Sequence, residues 1–416
     1  MKVAVLGSGV VGVAAAYYLA QDGNEVVVVD RNAEAASETS YGNAGLVSPG
    51  DSYAWASPGA LAMFARSLFR SDLGIRVRPS LDPHFLAWTW QFLFQCTPQR
   101  AHVNTLRKLR IAMYSKQCIN ELVARTGISY DSRQKGILYF YRSQESLDGG
   151  AKHMRLLAEH GLEIEVVGRE RLVQLEPGLE GAKDRIAGGI FSPMDQTGDS
   201  CLFSRNLASW CVKSAGVRFL HGRTITGLDI AGDRVQAAVT DQGPVVADAY
   251  VVALGPDTPL LLRPAGVRVP IYPVKGYSVT VPIRSDGLGP TMGGVDEDKL
   301  IAYSRLGSRL RLACRAEFTG YDRGHKPSDF RVLLAILDEL FPGAAAADQA
   351  QHWAGLRPMT PTSVPVLGRA RYRNLFLDCG HGHVGWTMAC GSGRVVADVV
   401  MGRKPEIDPD GLLYAN

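Results

Sequence analysis

Apolar residues along the chain change their spacing in ways that mark strands and helices. Val3-Ala4-Val5-Leu6 is a continuous apolar run that stops at Gly7, which predicts a short buried strand. An apolar helical stretch follows to Ala20, then a Gly23-Asn24 break, then Val26-Val27-Val28-Val29-Asp30. The unit reads as strand, turn, helix, strand, with an acid closing the second strand. Farther on, Gly216-Val217-Arg218-Phe219 through Gly232-Asp233-Arg234-Val235 alternates like a β-meander, and residues 248–255 predict a buried strand tipped by Gly255. Residues 106–123 and 151–160 have the spacing of amphipathic helices. Asp195 and Asp199 predict the N-cap region of a helix over 203–215 more simply than a pair of catalytic carboxylates.

The first turn carries chemistry. Gly7-Ser8-Gly9-Val10-Val11-Gly12 sits between the strand and the helix, the context in which G-x-G-x-x-G binds a dinucleotide. Gly7 allows the tight turn, Gly9 lets the backbone approach a pyrophosphate, and Gly12 lets helix and strand pack closely. The helix N-terminus then faces the phosphates. Asp30, 18 residues past Gly12, is placed to accept from a ribose, with Arg31 beside it. The stretch Glu38-Thr39-Ser40-Tyr41-Gly42-Asn43-Ala44-Gly45-Leu46 is small, polar and rich in donors. Ser40, Gly42, Asn43, Ala44, Gly45 and Leu46 are therefore expected along a longer, flatter cofactor, FAD rather than a nicotinamide. Gly255, at the tip of a returning strand, is expected beside the same cofactor, so the Rossmann unit is split by insertions.

Two C-terminal segments stand out. Trp353-Ala354-Gly355-Leu356-Arg357-Pro358-Met359-Thr360-Pro361 holds an arginine with no carboxylate near it in sequence. A guanidinium is the side chain best shaped to grip a carboxylate at two points. Gly380-His381-Gly382-His383-Val384-Gly385-Trp386-Thr387 runs on to Gly391-Ser392-Gly393 and reads as a glycine-rich loop opening a helix. Its N–H groups suit developing negative charge on a reduced flavin. The two histidines, spaced i, i+2 with no acidic or cysteine ligand near, are a poor zinc pattern, and no metal is expected.

Composition narrows the classes. Of 416 residues, 46% are hydrophobic and 21% charged, which excludes disorder, collagen and coiled coil. Net charge is 45 − 41 = +4, spread along the chain, which argues against a nucleic-acid-binding stripe. Seven cysteines without a C-x-x-C pair predict reduced, cytoplasmic thiols. No apolar stretch reaches the roughly 18 residues that span a bilayer, so a soluble or peripheral protein is expected. The apolar opening after Lys2 is the first strand and helix of the fold, not a cleaved signal. The aromatic segment from His84 to Phe94, preceded by Leu61-Ala62-Met63-Phe64 and Leu68-Phe69-Arg70, reads either as an interfacial membrane helix or, preferred, as a buried helix.

Taken with Tyr272-Pro273-Val274-Lys275-Gly276-Tyr277-Ser278, these motifs make the chain resemble the D-amino-acid oxidase-like FAD enzymes over nearly its whole length. Within them it is most similar to the small-subunit bacterial D-amino acid dehydrogenases. The resemblance implies an α/β fold: a split Rossmann-type FAD-binding domain at residues 1–50, 196–258 and 354–416, and an inserted antiparallel-sheet substrate domain at 51–195 and 259–353. It implies oxidative deamination of D-amino acids to 2-oxo acids and ammonia. Electrons would pass to a respiratory quinone or another acceptor, with peripheral contact at the inner membrane and homo- or hetero-oligomers among the arrangements it allows. Arg357 would hold the substrate carboxylate and Asp30 the adenosine ribose. Tyr277 and Tyr53 are expected to meet the substrate through their hydroxyls, and the loop from His381 to Thr387 to stabilise reduced flavin. Tyr41, where such enzymes commonly carry a small residue, and the short stretch after Gly402 depart from the pattern. Specialised dehydrogenation of D-proline or its hydroxylated form, glycine or sarcosine oxidation, a NAD-dependent dehydrogenase and a non-catalytic flavin subunit are the alternatives.

Overall fold

The computed structural model describes residues 1–60, 74–78, 80–285 and 287–415. Lys2–Leu6 is the third strand from one edge of a six-stranded sheet. Its neighbours are Glu25–Asp30 and Ala249–Val252, flanked by Arg218–His221 and Leu375–Cys379; these pairings are parallel, and Val366–Arg369 adds an antiparallel edge. Continuous valine runs suit strands covered on both faces. Helix Val10–Gln21 packs on one face with Ser200–Ala215 and the C-terminal helix Gly385–Val400. Asp199 caps Ser200–Ala215 as expected, accepting from Cys201 N at 2.9 Å and Leu202 N at 3.1 Å.

The glycines at the end of the second C-terminal motif do not form a loop. Gly391 and Gly393 lie inside the helix Gly385–Val400, where a Cβ would sit 2.8 Å from Ser115 and 2.9 Å from Ala15 N. They let this helix lie close between Val10–Gln21 and the long helix Pro98–Thr126.

A nine-stranded, mostly antiparallel sheet forms the second layer. Its strands run in the order Gln351–Met359, Tyr272–Pro282, Arg309–Phe318, Ile301–Leu306, Gly293–Asp296, Ile137–Tyr141, Gly188–Ser192 and Glu165–Gly168, with Ile75–Val77 paired to Arg309–Phe318. The pairing slips between Lys275 and Tyr277: Lys275 faces Glu317, yet Tyr277 faces Cys314. Arg315 and Ala316 therefore stand opposite Gly276 alone, a β-bulge, and Arg315 takes a left-handed φ of 65°.

The chain crosses between layers at other places than expected. Strand Gln351–Met359 pairs along Tyr272–Pro282, which puts residues 354–359 in the larger sheet. Leu261, Val267 and Ile271, expected in the insert, pack under the six-stranded sheet, and Ile111, Cys118 and Leu122 of Pro98–Thr126 join the core above it. Apolar periodicity shows that a helix is buried and not against which sheet, so these crossings are set by tertiary packing.

The aromatic helix Pro83–Gln95 combines both readings of its sequence. Phe85, Trp88 and Phe92 are buried against Tyr272 and Phe318, whereas Leu86, Trp90, Leu93 and Phe94 are exposed. Leu61–Phe64 and Leu68–Arg70 lie outside the described residues.

Candidate active site

A cavity of about 1100 Å³ runs between the two sheets. One end is the glycine turn. Gly7 has φ 110°, and a Cβ there would meet Ala253 O at 2.5 Å; one on Gly12 would meet Gly7 O at 2.0 Å. Only glycines permit this close turn. Asp30 Oδ2 accepts from Ser8 N at 2.7 Å and Oδ1 from Asn32 N at 2.8 Å, so the carboxylate is held at the mouth of the turn. Ser40 Oγ accepts from Val10 N at 3.1 Å, tying the donor-rich loop to the helix start. Asn43 Nδ2 donates to Ser200 Oγ at 2.6 Å, and its Oδ1 accepts from Gly45 N at 2.9 Å.

Arg357 is held at the other end. Trp353, Gly355 and Arg357 alternate onto the cavity face of their strand. The guanidinium crosses Gly276 so closely that a Cβ there would lie 2.3 Å from Nη1. Nη1 donates to the Arg315 carbonyl at 2.8 Å, the carbonyl of the bulge. Among the described residues no carboxylate ion-pairs with Arg357, so it presents unused donors to the cavity.

Between the two ends stand Asp51, Lys108 and His383. Lys108 is fully buried, and its Nζ lies 2.7 Å from Tyr53 O, 3.2 Å from Asp51 O and 3.2 Å from His383 Nε2. All three can accept, the set an ammonium satisfies with its three protons. Burial pushes this amine down to about 7 against the pull of Asp51. Burial, reinforced by the Lys108 charge, pushes His383 down to about 4 against the pull of Asp51. Its ring stacks on Trp55 at 4.8 Å. Burial favours a neutral Asp51, but His383, Lys108 and Arg357 outweigh it and hold the carboxyl below the usual range.

The profile of the family described as FAD dependent oxidoreductase matches residues 2–399. The chain belongs to that family. It is 62% identical over 414 residues, 100% of both chains, to D-amino acid dehydrogenase 2 of Mesorhizobium japonicum, and 46% identical to D-amino acid dehydrogenase of Azorhizobium caulinodans over 99% of both. Glycine oxidase from Geobacillus kaustophilus shares the fold, with a TM-score of 0.75 at 22% identity over 100% of this chain and 99% of that one. L-proline dehydrogenase from P. horikoshii gives 0.73 at 18% over 97% and 94%. The cofactor of this FAD-dependent oxidoreductase is FAD, and the Gly7–Gly12 cradle with Asp30 fits its adenosine and pyrophosphate.

Within that frame the expected residues divide. Gly7, Gly9, Val10, Val11, Asp30, Arg31, Ser40, Gly42, Asn43, Ala44, Gly45, Leu46, Gly255, His383, Val384, Gly385 and Trp386 line the cavity. Arg31 is also paired with Glu38 at 2.7 Å and Asp257 at 2.8 Å. Ser8, Gly12 and Thr387 stand behind the wall: Thr387 Oγ1 accepts from Ser48 N at 3.0 Å and so fixes the loop after Leu46. Tyr53 lines the cavity beside His153, and its buried hydroxyl has no partner among the described residues. Tyr277 reaches the cavity, but its hydroxyl donates to Glu317 at 2.8 Å. His381 also lines the cavity, with its Nε2 held 2.8 Å from Ser392 Oγ on the C-terminal helix and 3.3 Å from Asp378.

Sequence reading missed Asp51, Lys108 and Glu297. Lys108 had a signal: it falls with Thr105, Leu109, Ala112 and Ser115 on the buried stripe of Pro98–Thr126, where a lysine is out of place. Asp51 ends a three-residue 3-10 turn and Glu297 sits just past a four-residue strand, where periodicity gives none.

Proposed function

We propose that this enzyme oxidises D-amino acids to 2-oxo acids and ammonia and passes the electrons to a respiratory quinone or another acceptor. The observation that carries the reading is the Arg357 guanidinium, fixed by a carbonyl and by the absence of a Cβ at Gly276, with its remaining donors turned into an FAD-sized cavity. Such a fork binds an α-carboxylate in one orientation and so fixes where the Cα–H points. Bound FAD would supply the two-electron acceptor for that hydride, and water would hydrolyse the resulting imine to the oxo acid and ammonia. The unpartnered Tyr53 hydroxyl supplies a donor or acceptor to the substrate; Tyr277, already committed to Glu317, shapes the wall. The uncapped start of Gly385–Val400 lies on the cavity, where its N–H groups would favour negative charge on a reduced flavin. The names of the relatives support D-amino acids as the substrate class.

For the division of the chain, residues 1–50, 98–126, 196–271 and 360–416 form the nucleotide-binding body in this reading, and the remainder the substrate-binding sheet. No helix among the described residues is long and apolar enough to cross a membrane. The exposed face of Pro83–Gln95 supports peripheral contact with the inner membrane from the cytoplasmic side.

Anaerobic bleaching of the bound flavin tests the reaction. Several D-amino acids should bleach it and their L-enantiomers should not. Bleaching by D-proline or hydroxy-D-proline alone, or by glycine and sarcosine alone, replaces the broad reading with a narrow one. A yellow protein that no amino acid bleaches overturns both.

A further inference from the structure

Resting on that substrate class, the geometry of the cavity floor says more about the side chain. Val295, Ala302 and Ala313 are cross-strand partners on three successive strands, and all three line the cavity. They make a low, apolar floor. Arg357 stands at one end of it, bound to the carbonyl of Arg315 on Arg309–Phe318. Glu297, two residues beyond Val295 and so on the same face, stands at the other.

Two strand spacings separate Arg309–Phe318 from Gly293–Asp296, about 10 Å in all. A carboxylate on Arg357 leaves the α-amine near Arg357 and far from Glu297. The group that meets Glu297 is therefore the end of a long side chain. The Glu297 carboxyl has no hydrogen bond or ion pair among the described residues, and its charged neighbours Asp51, Asp296 and Asp298 are all acidic. Asp296 is turned to the opposite face, where Arg142 Nη2 binds it at 2.6 Å. Asp298 accepts from Arg142 N and from Ser146 Oγ at 3.0 Å. Glu297 is thus left facing an apolar floor with acceptors and nothing to accept from.

We infer that Glu297 is a specificity-determining residue that binds the cationic end of a long D-amino acid side chain, of lysine or arginine length, while Arg357 holds the α-carboxylate. Alanine's methyl does not reach Glu297. Norleucine has the length without the charge and leaves the carboxyl unpartnered. A glutamate side chain brings a further carboxyl to an already acidic cluster and no cation.

The test compares anaerobic flavin reduction of the FAD-loaded enzyme by D-arginine, D-lysine, D-norleucine and D-glutamate, in the wild type and in Glu297→Gln. The wild type should favour D-arginine and D-lysine over D-norleucine by at least about tenfold in kcat/KM, the effect of one charge-assisted hydrogen bond. E297Q should lose most of that ratio, and calorimetric titration should show D-arginine binding weakened in the same variant. Norleucine reduced as well as lysine by the wild type overturns the inference whether or not the variant folds, as does an unchanged ratio in E297Q. Reduction by alanine and norleucine without cationic preference leaves the D-amino acid reading standing and removes this one alone. Reduction by no D-amino acid removes both.

Discussion

Gly276→Ala puts a single methyl group under Arg357, the proposed anchor of the substrate carboxylate. The glycine's φ is not left-handed, so the strand accepts alanine and the effect is steric. The added Cβ would lie 2.3 Å from Arg357 Nη1 and 2.5 Å from Cζ, whereas heavy atoms in contact stand about 3.5 Å apart. The guanidinium must withdraw by about 1 Å, and its 2.8 Å bond to Arg315 O cannot persist. A hydrogen bond to a charged group is worth about 1.5–3 kcal/mol, so kcat/KM should fall about 10- to 150-fold. Arg357→Ala, which removes the whole grip, sets the upper limit of the loss. Stopped-flow flavin reduction over a range of D-amino acid concentrations reads the effect, with flavin absorbance reporting retained cofactor. FAD content should be unchanged, because the glycine turn lies at the far end of the cavity. A G276A enzyme with full FAD and kcat/KM within twofold of the wild type would refute the placement of the carboxylate on Arg357.

Other perturbations test the surroundings. Burial pushes the Asp195 carboxyl up to about 7 from an ordinary 3.8, although Tyr139 OH donates to it at 2.7 Å and Gly50 N at 3.2 Å. The folded protein then holds this proton more tightly than the unfolded chain, so the contribution of Asp195 to stability is full below pH 4 and lost as pH rises towards 7. Asp195→Asn removes that loss, and the melting temperature of the variant relative to wild type should rise between pH 5 and pH 8; a gap independent of pH contradicts the assignment. On the exposed helix face, Trp90 is 64% and Phe94 53% exposed, while Trp88 and Phe92 are buried in the fold. Changing Trp90 and Phe94 to serine should leave FAD content intact and abolish flotation with vesicles of anionic lipid, whose charge suits exposed Arg78 and Arg100 nearby. A wild type that does not float with them removes the membrane reading.

How far these features could be read from the chain depended on whether their physics is local. Gly7 to Gly12 and Asp30 are legible because a phosphate-binding turn needs glycine at fixed positions between a strand and a helix. Asp199 is legible because a cap is satisfied within three residues. Arg357 stood out through the lack of a nearby acid, and among the described residues no acid pairs with it. What holds it, Gly276 and the Arg315 carbonyl, lies 81 and 42 residues away and depends on a slip in strand register that no pattern announces. The same limit explains Tyr277. Its segment reaches the cavity as expected, but its hydroxyl found Glu317 across the neighbouring strand. Glu297 and Asp51 gain their meaning only when the two sheets close over one cavity.

The bulge at Arg315 places the support of the Arg357 guanidinium in the main chain. A carbonyl cannot be deleted by a point substitution, so position 315 is free to change its side chain while the anchor persists, and glycine there would relieve a left-handed strain of order 1 kcal/mol. Loss of one residue between Cys314 and Glu317 is another matter. It would restore an unbroken ladder, turn the end of that strand over, and exchange which of its side chains look into the cavity. Length, rather than identity, is what this stretch of chain must keep.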